Sequence, residues 1–111
     1  MMKIAMPRAA SALLRGLIAR AGVERHRILL SDSKSTDWQS MTFTGERHWF
    51  GLRITGADSS DVANRMCAGL EDAEFSIPGM FVADISVVEA TQRVCDGATE
   101  LTIEALTILA D

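Results

Sequence analysis

The chain has 111 residues and a mass of 12.0 kDa; 48% of the residues are apolar and 23% charged, with eight glycines and two prolines. That is enough for one domain, expected to cover residues 1–111, and too apolar for a disordered or collagen-like chain; no apolar run approaches the roughly 18–20 residues that span a bilayer. Fifteen acids against eleven bases give a net charge of −4, which argues against a general nucleic-acid binder, whose footprint is a basic face.

Residues 1–22 hold no acid and four bases, Lys3, Arg8, Arg15 and Arg20. Arg8 and Arg15 break any apolar signal region, so the stretch reads as a folded helix and the chain as cytosolic. Pro7 suits the first helical position. Ala10, Leu13, Leu14, Leu17, Ile18 and Ala21 then recur at three- and four-residue spacing, and Gly22 supplies the stop. The spacing predicts a helix over about 7–21, with an apolar stripe that packs on a sheet.

Residues 26–32 read as a short strand, and Ser33-Lys34-Ser35-Thr36-Asp37 as a polar turn. Alternation resumes at Trp38 and runs to Thr44. Gly45-Glu46-Arg47 reads as a hairpin turn, and the return strand puts His48, Phe50, Leu52 and Ile54 on one face. Asp58-Ser59-Ser60-Asp61 is rich in helix-capping residues, and Val62, Met66 and Leu70 continue a buried stripe, so a second helix is expected over about 59–72. Ile77-Pro78-Gly79 marks a turn. Residues 80–90 and 99–109 alternate as strands around a turn at Cys95-Asp96-Gly97. The expected fold class is α+β, in the order α-β-β-β-α-β-β, with both helices on one face of a mainly antiparallel sheet.

The charge is unevenly divided. Residues 1–55 carry nine bases and four acids; residues 56–111 carry two bases and eleven acids. Such a division can serve head-to-tail contact between copies, although the plainer reading is that both charge sets are solvated surface.

Little in the chain suggests chemistry. Cys67 and Cys95 lack ligand spacing and read as free thiols, and His26 and His48 are too isolated for a metal site. There is no nucleophile elbow and no phosphate loop. Glu46 and His48 form at most a weak acid/base pair beside a turn. Asp84 lies on a strand otherwise apolar on both faces, and is either a buried carboxylate or an edge residue. The acids at 71, 72 and 74 read as the polar end of the second helix rather than as a cation site. No cofactor and no catalytic residue are expected.

Two stretches are distinctive. One is Ser33-Lys34-Ser35-Thr36-Asp37-Trp38-Gln39-Ser40-Met41-Thr42-Phe43-Thr44-Gly45-Glu46-Arg47-His48, and the other runs from Val87 through Arg93-Val94-Cys95-Asp96-Gly97 to Thr107. With the link Phe75-Ser76-Ile77-Pro78-Gly79 between them, they resemble the tail-completion, or tail-terminator, proteins of long-tailed phages, prophages and gene transfer agents. The resemblance runs from about Leu13 to Thr107. It departs from the family at residues 22–28, where members usually carry a longer segment.

That resemblance implies a structural role without catalysis: a ring, usually of six copies, that caps the tail tube and meets the head connector or a head-completion protein. The partners it implies are further copies of the chain, the tail tube protein and the connector, with DNA passing through the ring unbound by sequence and no membrane contact. Asp37, Trp38, Gly45, Glu46, Arg47 and His48 are the expected contact residues, with 44–48 as a projecting hairpin tip. For Asp37 and Trp38 the plainer alternative is turn capping and sheet packing. On this reading Glu46→Ala with Arg47→Ala leaves folding intact and lowers assembly. Two other readings stay open: a ligand-binding domain with a pocket between helices and sheet, near Asp84 or Cys67, and a dimeric adaptor pairing through an edge strand at 26–32.

Overall fold

A computed structural model describes residues 6–110. Its elements are α1 (Arg8–Ala21), β1 (Ile28–Gln39), β2 (Thr44–Ile54), α2 (Ser59–Cys67), β3 (Met80–Gln92) and β4 (Thr99–Leu109), with short 3-10 turns at Arg25–Arg27 and Leu70–Asp72. The strands form one sheet in the order β1-β2-β4-β3, every neighbouring pair antiparallel. The expected α+β class holds. Among the described residues no helix is long and apolar enough to cross a membrane.

Periodicity explains the core. Leu13 and Leu17 of α1, Val62 and Met66 of α2, and Leu70 pack over Phe50, Leu52, Ile54, Leu101 and Ile103, all fully or nearly fully buried. Burying each such side chain contributes about 1.5–3 kcal/mol. α1 ends at Gly22, whose φ of 68° is the left-handed conformation that closes a helix cheaply only at glycine. At Gly16 a Cβ would sit 2.6 Å from Cδ1 of Phe75, so a bare backbone is what admits that ring against the helix.

The two helices close each other's ends. Arg65 Nε donates to the carbonyl of Ala21, the last residue of α1 (3.0 Å). Arg20 Nε donates to the carbonyl of Met66 (2.9 Å), and its Nη2 to that of Ala68, at the end of α2. Cations at carbonyl-rich helix ends satisfy orphan acceptors and oppose the dipole.

Three expectations need correction. First, residues 33–37 are not a turn: β1 runs unbroken in direction through them and pairs with β2 as far as Gln39↔Thr44. They read as a loop because β1 lies at the sheet edge and is mostly exposed, so no apolar alternation marks it. Second, Gly45-Glu46-Arg47 is not the hairpin turn. The turn is at 40–43, where Ser40 N donates to the Phe43 carbonyl (2.8 Å), and Gly45 to His48 belong to central strand β2. The three strands expected before the second helix are therefore two. Third, α2 stops at Cys67 rather than near residue 72, because Gly69 adopts φ 62° and the chain restarts as a 3-10 turn.

Candidate functional site

β2 and β1 bring all six expected contact residues onto one stretch of sheet. Trp38 stands opposite Gly45, Asp37 opposite Glu46, Thr36 opposite Arg47 and Ser35 opposite His48. On the other side of β2, Gly45, Glu46, Arg47 and His48 meet Ile108, Thr107, Leu106 and Ala105. The expected projecting tip at 44–48 is thus a ladder segment held from both sides. The true tip is Ser40-Met41-Thr42-Phe43, immediately before that segment in the chain.

Gly45 serves close approach rather than turning. A Cβ built there would overlap the Thr107 carbonyl oxygen and crowd Ile108 Cα. No larger residue fits between β1 and β4 at this point.

Alternation splits the other residues between the two faces of the sheet. His48 points to the helix side and is completely buried. Its Nδ1 lies 2.7 Å from Ser35 Oγ on β1, and its Nε2 3.0 Å from Thr107 Oγ1 on β4. Since the Thr107 hydroxyl donates to the Glu46 carbonyl (3.3 Å), Nε2 carries the hydrogen and Nδ1 accepts from Ser35. Burial pushes the His48 pKa below its ordinary value. A Glu46 carboxylate oxygen is 3.8 Å from Nε2, yet both ring nitrogens are already engaged and no substrate reaches them. His48, through Ser35 and Thr107, ties three strands together under the core.

Glu46 and Asp37 open instead on a recess of about 260 Å³ shared with Thr44, Gly45, Met80 and Leu109. Beside it Phe43, Phe81 and Leu109 line a second recess of about 220 Å³. Met41, Phe43, Phe81 and Leu109 are all exposed. This end of the sheet is apolar with two carboxylates at its margin.

The helix-free face carries ion pairs among apolar side chains that include Trp49 and Leu106. Arg47 Nη1 donates to Glu104 Oε1 (2.6 Å). Arg53 reaches both Glu100 (3.3 Å) and Asp96, and Lys34 Nζ lies 5.4 Å from the centre of the Trp49 ring. An Asp96 oxygen accepts from the Ala98 amide, and this bond, with the Arg53 guanidinium, holds its carboxyl below the usual range. Asp84 is exposed on edge strand β3, so it is the edge residue of the two alternatives.

A recess of about 380 Å³ lies between α2 and β3 and includes Ala63, Cys67, Val87, Ala90 and Leu101. Cys67 therefore does line a groove, with burial pushing its thiol pKa up. Asp84 is not part of it. Among the described residues no three His, Cys, Asp or Glu side chains come together as metal ligands. A pocket between helices and sheet near Cys67 was among the sequence-based alternatives, whereas the apolar end was missed. That end assembles residues from two or more elements, and only the alternation of strands at 80–90 and 99–109 hinted at it.

No family model matches the sequence, and no curated protein matches it. A search of solved structures finds a similar fold in a chain of the virion of a native gene transfer agent (GTA) particle. The TM-score is 0.56 at 15% identity, over 94% of this chain and 99% of that one.

Proposed function

We propose that this chain is a structural subunit of a phage-like particle, and within that class a tail terminator: copies form a ring that closes the tail tube and offers a surface to the head connector. The observation that carries the reading is the end-to-end likeness in fold to a subunit of a gene transfer agent virion, spanning nearly the whole of both chains. That likeness supports a particle subunit; the terminator role within the particle rests on the resemblance of the 33–48 and 87–107 stretches.

The surfaces support it. Both sheet edges, β1 and β3, are open to further contacts. The apolar end at Met41, Phe43, Phe81 and Leu109 is suited to an axial partner such as the last tube ring. The helix-free face is suited to a lumen, since Arg47 and Arg53 there are neutralised by Glu104, Glu100 and Asp96. A duplex sliding past meets one unpaired cation of that face among the described residues, Lys34, beside the paired Arg47 and Arg53, and so gains little from counterion release.

The test is capping of purified tail tubes, read by negative-stain imaging, after light-scattering mass across a concentration series. A ring of six 12.0 kDa chains, about 72 kDa, and density at one tube end are expected. Tubes that stay bare and continue to elongate in excess protein reject the reading.

A further inference from the structure

One row of paired residues crosses the whole sheet on the helix side: Leu30↔Leu52↔Leu101↔Ala90. Its middle is buried, with Leu52 at 1% and Leu101 at 4% exposure, and its two ends are unlike. At the β1 edge the row finishes on Leu30, a large apolar side chain left 40% exposed. At the β3 edge it finishes on Ala90, a small one, beside the groove of about 380 Å³ under α2. An exposed leucine, at the margin of a recess it shares with Met6 and Ser31–Ser33, and an apolar groove thus lie in the same row, on the same face, at opposite edges.

We infer that the occupant of the α2–β3 groove is Leu30 of a second copy of this chain, so that copies join head to tail, β3 of one beside β1 of the next. The inference deepens the ring reading by naming the surface between subunits. Three further observations support it.

The first is strand direction. Four strands alternate across the sheet, so β1 and β3 run in opposite directions. Copies related by rotation about an axis along the strands therefore meet antiparallel, the geometry that allows ordinary ladder bonds.

The second is charge. Arg8, Arg15, Arg25 and Lys34 have no carboxylate or hydrogen-bonded acceptor among the described residues, and all lie on α1, β1 or the turn before it. Asp61, Glu71, Asp72, Glu74, Asp84 and Glu89, equally unpaired among the described residues, lie between the start of α2 and β3. Asp32 and Asp37 on β1 are unpaired among the described residues too, so four bases against two acids leave the β1 side net positive and the β3 side net negative, which favours unlike edges meeting and opposes like ones.

The third is irregularity. Each edge strand carries bulges, at Ser31 on β1 and at Ala83 and Val88 on β3. Bulges interrupt a continuous ladder and blunt indiscriminate edge pairing. Register between copies must then come from side chains. Asp32 and Glu89 share a row and would repel each other in a flat pairing. A two-residue stagger, of the kind that closing a sheet into a barrel demands, sets Lys34 beside Glu89 and keeps Leu30 within the groove, next to Gln92.

Cross-linking tests the contact. In a Cys67→Ala, Cys95→Ser background, Leu30→Cys with Ala90→Cys is treated with a short bismaleimide at high protein concentration. A ladder extending past the dimer is expected, because each copy offers one cysteine at each edge. Either cysteine alone should give no ladder and no more dimer than the background. Separately, Leu30→Asp should weaken self-association at least tenfold, with a melting temperature within a few degrees of the parent. Efficient dimers with Leu30→Cys alone, or absence of a ladder in the double variant, overturn the inference. Capping of tubes without a ladder removes this contact and leaves the terminator role; a ladder without capping does the reverse.

Discussion

The two ends of the sheet are built on opposite principles. At the β3–β4 end the connecting loop is sewn to the rest of the molecule. Ser59 Oγ, from the first residue of α2, lies 2.5 Å from the Gly97 carbonyl and 2.8 Å from Thr99 Oγ1; Arg53 holds Asp96; Arg93 reaches Glu100 at 3.4 Å. Val94 of that loop faces water, and so do Leu29, Leu30 and Val88 on the two edge strands behind it. At the β1–β2 end the hydrogen bonds of the 40–43 turn stay inside the turn, with Ser40 Oγ accepting from the amides of Thr42 and Phe43. Four apolar side chains there, Met41, Phe43, Phe81 and Leu109, face water. Polar cross-links tie the loop at one end to the rest of the fold, whereas the loop at the other end is bonded only to itself and sits amid uncovered apolar side chains. The first arrangement serves the fold, and the second costs solubility that only a partner returns.

The sharpest way to break this contrast is at Gly45, which belongs to the open end yet sits in the central ladder. Gly45→Ala drives a methyl into the Thr107 carbonyl, so a loss on the order of 3 kcal/mol or more is expected by denaturant unfolding. A turn glycine of ordinary φ would lose a few tenths, and that result would return residue 45 to a loop. Next comes Ser59→Ala at the sewn end. It removes a fully buried hydroxyl that bonds two partners, and the expected cost is about 1–3 kcal/mol with strand register unchanged. An unchanged unfolding midpoint would show the stitches to be ornamental.

His48 links the two principles, being a polar tie set deep under the open end. Its folded pKa is below the unfolded value of 6.5, so the unfolded chain takes up a proton first as pH falls. The contribution is fully present above about pH 6.5 and is lost as pH drops through that value toward the folded one. His48→Asn should therefore be less stable than the parent at pH 7.5, but show a smaller fall in melting temperature between pH 7.5 and 5.5. Equal falls would remove the buried imidazole from the account. The smallest expected effect is that of Met41→Ser with Phe43→Ser. Stability should change by no more than about 0.5 kcal/mol, since both side chains already face water, while tube capping is lost. Retained capping would leave the apolar end without a role.

Legibility in the sequence followed burial. The first helix was placed to within a residue, because Leu13, Leu17 and Ala21 are all buried on one stripe; the strands at 80–90 and 99–109 were marked by alternation and by Gly79 and Gly97. The outer half of β1 was illegible for the opposite reason: Ser33, Lys34, Thr36 and Asp37 are exposed, so their sequence answers to water rather than to a core. Gly45 misled because glycine marks a turn and a close backbone approach with the same letter. Of the expected contact residues, the grouping was readable and the environment was not. Burial of His48 needs Thr107, and the pairing of Arg47 needs Glu104, each nearly sixty residues away.

The register slips carry a consequence for how such a protein can vary. All three fall in the outer pairs, whereas β2 and β4 match residue for residue from Gly45↔Ile108 to Ile54↔Thr99. That inner pair acts as a ruler. A residue inserted into it would flip every side chain beyond between the core and the open face, whereas β1 or β3 absorbs one at the cost of another bulge. Insertions and deletions should therefore collect at the margins, allowing descendants to refit their contacts while the core keeps its measure.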